Sequence, residues 1–151
     1  MRDLGSRPLA TGSTEGAGRL QPSAMPRHAP RILIVEDELL VALMIEEMVR
    51  ELGYRVSGVA HTIAMATGEF AKRNYDAVLL DINIGGRFHA ETADRLVSRG
   101  VPVAFVTGYD YLVDPRHEKI PVLQKPFAPA HLRALLETLA GPPTVVRANG
   151  P

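Results

Sequence analysis

The sequence predicts an α/β fold of the flavodoxin-like (βα)5 class: a five-stranded parallel sheet, strand order 2-1-3-4-5, with helices on both faces. Three observations carry this. Short apolar runs alternate with helical patterns through residues 31–140, which is the alternation a parallel sheet requires. Several of those runs are apolar throughout, as strands covered on both faces should be. Right-handed crossovers leave few topologies, and the size matches this one best.

The elements follow in order. Residues 31–36 (Arg-Ile-Leu-Ile-Val-Glu) are apolar and β-branched, the first strand. Residues 38–52 form a helix with Leu40, Met44 and Met48 at helical spacing, Leu43 and Leu52 nearby, and Gly53 as its C-terminal stop. Residues 55–60 alternate and read as the second strand, and 62–72 as a weaker helix. Residues 77–80 are a short buried strand ending at Asp81. Residues 90–98 are helical, with Gly100 just beyond. Residues 101–106 are the fourth strand, with Pro102 near its start. Pro115 and mixed polarity predict a short, broken helix over 109–119. Residues 120–123 are a fifth strand at the sheet edge, and 129–139 an amphipathic helix carrying Leu132, Leu135, Leu136 and Leu139.

The rest of the chain is organised around that block. Residues 1–30 are rich in Gly, Pro, Ser, Thr and Ala without apolar periodicity, so a disordered leader is expected, with Met25 an alternative start to Met1. Residues 141–151 read as a flexible tail, and 31–140 as the folded domain. Lys plus Arg and Asp plus Glu are both 17, so the formal net charge is zero. No basic excess points to nucleic acid. The leader holds four arginines against two acids, and residues 31–140 hold 12 basic against 15 acidic groups. There is no cysteine, which excludes disulfides, a thiolate nucleophile and a Cys-based zinc site. The longest apolar run, residues 39–45, is far short of the roughly 18 that a membrane span needs. A cytoplasmic location is expected.

The polar residues fall into place on this map. Glu36 and Asp37 end strand 1, Asp81 strand 3, Thr107 strand 4 and Lys125 strand 5, all at one sheet edge. Crowded carboxylates repel by roughly 1 kcal/mol at 4 Å in water and about 4 at an effective dielectric of 20. A divalent cation removes that cost, and Mg²⁺ takes hard oxygen ligands. One carboxylate can then attack phosphorus and form an aspartyl-phosphate, with metal, lysine and hydroxyl neutralising the phosphoryl oxygens. Asp81, on the central strand, is the natural nucleophile.

Residues 31–140 thus resemble the response-regulator receiver domain of two-component signalling. The resemblance implies that Glu36 and Asp37 bind the metal and that Asp81, in Leu79-Leu80-Asp81-Ile82-Asn83, accepts the phosphoryl group. It also implies that the backbone carbonyl of Asn83 ligates Mg²⁺ and that Thr107 is the switch hydroxyl. Lys125, in Lys125-Pro126-Phe127, would pair with phosphate, its bond to Pro126 cis as is usual in the family. Val122 stands where the family usually has an aromatic. Phe105-Val106-Thr107-Gly108-Tyr109 instead resembles a subgroup with a Phe-Ala-Thr-Gly-Tyr motif and a degraded fourth helix, in which Tyr109 would take over switching. That subgroup implies histidine kinases, the HWE type among them, and bacterial stress signalling.

Each residue also has a bland reading. Glu36 and Asp37 could cap a helix, Thr107 could be strand-end packing, Tyr109 a packed loop aromatic and Lys125 a surface lysine. Gly85-Gly86 reads as a turn, and His89 and His131 as members of solvated helix faces. Five coincidences at one sheet edge are too many, so the bland readings fail as a set. The expected function is a single-domain response regulator. It takes its phosphoryl group from a sensor histidine kinase or histidine phosphotransfer protein and signals to a downstream protein through the surface around helix 4, strand 5 and helix 5. It is expected to be a monomer or weak dimer, and a phosphoacceptor rather than a turnover enzyme. The alternatives are a phosphate sink or shuttle and a Mg-dependent phosphohydrolase. Against the hydrolase, Asn83 stands where such enzymes keep a general acid. A flavin or dinucleotide site is disfavoured by the acidic loop at Glu36-Asp37-Glu38 and by the placement of Gly16-Ala17-Gly18 in the leader.

Overall fold

The computed structural model describes residues 28–108 and 114–143. Its main sheet comprises β1 (Arg31–Val35), β2 (Arg55–Ala60), β3 (Ala77–Asp81), β6 (Val103–Thr107) and β7 (Val122–Gln124), in spatial order β2-β1-β3-β6-β7 with every pairing parallel. This is the expected 2-1-3-4-5 sheet. Two numbers are taken by a small antiparallel pair, β4 (Asn83–Ile84) and β5 (Arg87–Phe88), between β3 and the next helix. The helices are α1 (Leu39–Glu51), α2 (Ile63–Lys72), α3 (Ala90–Ser98) and α4 (Pro129–Ala140).

The period-two geometry of a strand explains why the central runs are apolar throughout. Ile32 and Ile34 of β1, Leu79 of β3 and Val106 of β6 face one core, which α1 and α4 close with Ile45, Val49, Leu132 and Leu136. Leu33, Val35, Val78, Leu80 and Phe105 face the other core, closed by Ala66 of α2 and by Ala93 and Leu96 of α3. Each large side chain fully buried this way contributes about 1.5–3 kcal/mol of transfer free energy.

The structure corrects the inward face of α1. Leu40 is 80% exposed and Met44 43%, while Ala42, Ile45, Val49 and Leu52 are buried. Those four recur three or four residues apart, one helical stripe. Residues 39–45 are apolar all round, so the period alone did not choose the rotation. The sheet takes the stripe that begins with the small Ala42.

Gly85-Gly86, a turn by sequence, joins β4 to β5 as a hairpin. Both glycines have positive φ, 62° and 74°, as a two-residue I′-type hairpin turn demands. The broken helix expected over 109–119 is, among the described residues, a single 3-10 turn, Pro115–His117. Asp114 caps it by accepting from the Arg116 backbone N–H at 2.9 Å. Tyr109, most of the leader (residues 1–27, including Met25) and most of the tail (144–151) lie outside the described residues.

Candidate functional site

The parallel sheet delivers its strand ends to one edge, and the polar groups gather there. β1 hands over directly to Glu36, whose backbone N–H donates to the Ala60 carbonyl at 2.9 Å and extends the ladder with β2. That places the Glu36 side chain inside the molecule, 1% exposed. Its Oε1 accepts from the Glu38 backbone N–H at 3.1 Å, which shapes the entry to α1. Asp81, the last residue of β3, is 6% exposed. Its Oδ1 accepts from the Asn83 backbone N–H at 2.9 Å, turning the chain toward the hairpin.

Lys125 joins these carboxylates. Its Nζ donates to Glu36 Oε2 at 2.6 Å and to Asp81 Oδ2 at 3.0 Å. Its backbone N–H donates to the Thr107 carbonyl at 2.7 Å, so β6 fixes where the lysine stem begins. The following Lys125–Pro126 bond is cis. Burial pushes the Glu36 carboxyl above the usual carboxylate range, against the lowering effect of Lys125. Burial also opposes the Lys125 ammonium, but its hydrogen bonds to Glu36 and Asp81 outweigh this and raise its pKa. Each group therefore depends on the other for its place in a poorly solvated position.

Glu36, Asp37 and Asp81 each bring a carboxylate oxygen within 4.8 Å of the others. Three carboxylates and one ammonium leave a local charge of minus two, which one divalent cation cancels. The donors are hard oxygens throughout, the ligand type Mg²⁺ prefers. The buried side-chain Oδ1 of Asn83 has no hydrogen-bond partner, a further unsatisfied oxygen beside them. The residues present fit Mg²⁺. A cleft of about 470 Å³ opens over the site and is lined by Asp37, Asp81, Asn83, Gly86, Gly108 and Lys125, with Glu38 at its side.

The structure brings Glu36, Asp37, Asp81, Asn83 and Lys125 together as the sequence indicated. Thr107 sits at the end of β6, buried, and is not among the residues that line the cleft. Two contacts were not anticipated. The Gly85 backbone N–H donates to Asp37 Oδ2 at 2.8 Å, tying the hairpin to the acidic pair. The His61 ring Nδ1 lies 2.9 Å from the Glu36 carbonyl. The paired glycines were the available signal for the first; an isolated histidine after β2 gave none for the second. The histidines also need correction. His131 is exposed, but His89, the residue before α3, is half-buried, its Nε2 3.1 Å from the Ile84 carbonyl of β4. His117, not singled out, is 1% exposed, with Nε2 2.5 Å from Asp94 Oδ1.

The chain is similar to known proteins in sequence and in fold. The family model described as the response regulator receiver domain matches residues 32–137. The chain is 35% identical over 113 residues to the phyllosphere-induced regulator PhyR of Methylorubrum extorquens, covering 72% of this chain and 42% of that protein. It spans less than half the length of the curated relatives it matches. The solution structure of SdrG from Sphingomonas melonis Fr1 superposes with a TM-score of 0.66 at 38% identity, covering 74% of this chain and 96% of that one. The receiver domain of the sensor histidine kinase PA1611 from Pseudomonas aeruginosa has a magnesium ion coordinated in its active-site cleft. It superposes with a TM-score of 0.65 at 27% identity, covering 75% and 98% of the two chains. Among the described residues, no helix is long and apolar enough to cross a membrane.

Proposed function

The chain belongs to the response regulator receiver domain family, and from that premise we propose that it accepts a phosphoryl group on Asp81 in a Mg²⁺-dependent reaction. The donor is a sensor histidine kinase or a histidine phosphotransfer protein of the cytoplasm. The observation that carries this reading is the shared lysine: Lys125 Nζ bridges Glu36 and Asp81 at the floor of an acidic cleft.

An oxygen of the Asp81 carboxylate attacks the phosphorus of a phosphohistidine. A P–O bond forms, the P–N bond breaks, and the imidazole leaves with the electron pair and takes up a proton. Asp81 reaches the cleft while its Oδ1 is held by the Asn83 N–H, so its orientation is set before a donor arrives. Lys125 can move from Asp81 Oδ2 to an incoming phosphoryl oxygen while keeping Glu36, a short change of partner on one charged group. Glu36, Asp37, Asp81 and the Asn83 backbone carbonyl would hold Mg²⁺, which would supply charge neutralisation for the transferring group. Asn83 has no titratable side chain, so a general acid for fast turnover is missing at that position. The protein acts as a phosphoacceptor that passes its state to a protein partner, with Thr107 and Tyr109 as the switch residues.

The test is intact mass spectrometry after incubation with Mg²⁺ and acetyl phosphate or a phosphorylated histidine kinase. Wild type gains one phosphoryl group and Asp81→Asn gains none. Equal labelling of both, or of neither with either donor, overturns the assignment.

A further inference from the structure

A second concave surface lies on the face formed by α2, α3 and the β4–β5 hairpin. Its inner part is a pocket of about 190 Å³ in which Ile63, Phe70 and Leu96 provide apolar lining and Arg95 and Arg99 provide charge. Its outer part, about 520 Å³, shares Ile63, Thr92 and Arg95 and adds Arg87, Phe88 and Arg116. The two parts form one groove, and neither shares a lining residue with the Asp81 cleft.

Its charge departs from that of the domain. Residues 31–140 hold more acids than bases, yet among the described residues this groove gathers arginines against a single lining acid, Glu91. Arg116 is already engaged, to Asp94 at 3.1 Å and Asp114 at 2.8 Å. Arg87, Arg95 and Arg99 are exposed, and none of the ion pairs among the described residues involves them. Planar guanidinium groups suit carboxylates, which they can grip with two parallel hydrogen bonds. Beside them Phe88 is 48% exposed.

Size and polarity narrow the occupant. The inner pocket is smaller than the roughly 300–1,000 Å³ of small-molecule sites, and it suits one large apolar side chain. A single-stranded nucleic acid would want a run of stacking aromatics in a basic channel. Among the described residues, the only lining rings of the inner and outer parts, apart from His89, are Phe70 and Phe88, on a domain of net negative charge. We propose that this groove docks an acidic segment of a partner protein, with carboxylates on Arg87, Arg95 and Arg99 and one leucine- or phenylalanine-sized anchor between α2 and α3. Exposed ion pairs contribute little singly, so the apolar anchor carries affinity and the arginines carry selection.

The test is selection of random twelve-residue peptides displayed on phage against the full chain. The probes are then the selected peptides and a twelve-nucleotide RNA, each titrated into ¹⁵N-labelled protein. The expected result is enrichment of Asp and Glu together with Leu or Phe, and amide shifts confined to α2, α3 and the hairpin. Binding should weaken about tenfold in Arg95→Glu/Arg99→Glu and less in Arg95→Gln/Arg99→Gln, while both variants still take up phosphoryl on Asp81. The proposal is overturned by selected peptides without acidic bias, by shifts elsewhere, by failure to select any peptide, or by tighter binding of the RNA to the same amides.

Discussion

Helices α1 and α4 close the same core, and their sequences relate to it in opposite ways. In α4 the periodic leucines are the core: Leu132 and Leu136 are fully buried and Leu135 and Leu139 pack partly against them. In α1 the most conspicuous apolar residues are outside, with Leu39, Leu40, Leu43 and Met44 all more than 40% exposed, and the core is met by Ala42, Ile45 and Val49. A helix that is polar on one side declares its rotation. The first half of α1 is apolar all round and does not; the charges that mark its outer face, Glu46, Glu47, Arg50 and Glu51, come only in the second half. The exposed stripe of α1 is therefore not explained by folding.

Emptying the shared core has the largest expected effect. Ile45→Ala and Leu136→Ala should each destabilise by about 2–5 kcal/mol in urea unfolding, the range for emptying a packed site. If Ile45 costs far less than Leu136, the two helices do not share the core equally. Next comes the link between the helices. The Tyr54 hydroxyl, just past α1, donates to the Gly141 carbonyl at the end of α4 at 2.8 Å. Tyr54→Phe should cost about 0.5–1.5 kcal/mol.

The same residue sets a pH dependence. Burial first, and Glu137 with it, raise the Tyr54 pKa above its ordinary 10.0, against a lowering by Arg133. The unfolded phenol therefore loses its proton before the folded one. Its contribution to stability is complete below pH 10 and falls as pH rises through the window above it. The difference between wild type and Tyr54→Phe, measured as urea midpoints from pH 9 upward, should shrink with pH; a constant difference would contradict the burial argument. The smallest effect sharpens the contrast. Leu40→Ala should change stability by no more than about 0.5 kcal/mol, a surface value, and a loss of 2 kcal/mol would restore Leu40 to the core.

The legible and illegible parts differ for physical reasons. Strands buried on both faces write themselves as apolar runs, so the sheet, its order and the edge that collects Glu36, Asp37, Asp81, Thr107 and Lys125 were readable. Which atoms meet was not. The partition of Lys125 between Glu36 and Asp81 depends on side-chain reach across residues 36, 81 and 125, and nothing local encodes it. The hairpin hid because β4 and β5 have two residues each, too few for a period, and only Gly85-Gly86 marked them. His117 was hidden by composition: a histidine between Arg116 and Glu118 looks solvated, yet it packs edge-on to Phe105, ring centroids 5.7 Å apart, and reaches Asp94 on α3.

The bond from the Gly85 amide to Asp37 makes the hairpin a listener. Asp37 belongs to the acidic cluster, and its Oδ2 accepts from the Gly85 backbone N–H, an amide whose chemical shift any change at that carboxylate must alter. Two residues further along the same ribbon, Arg87 already lines the groove on the far side. A single amide resonance thus stands between the two surfaces, and following it during cation loading and then during peptide titration would show whether news from one reaches the other.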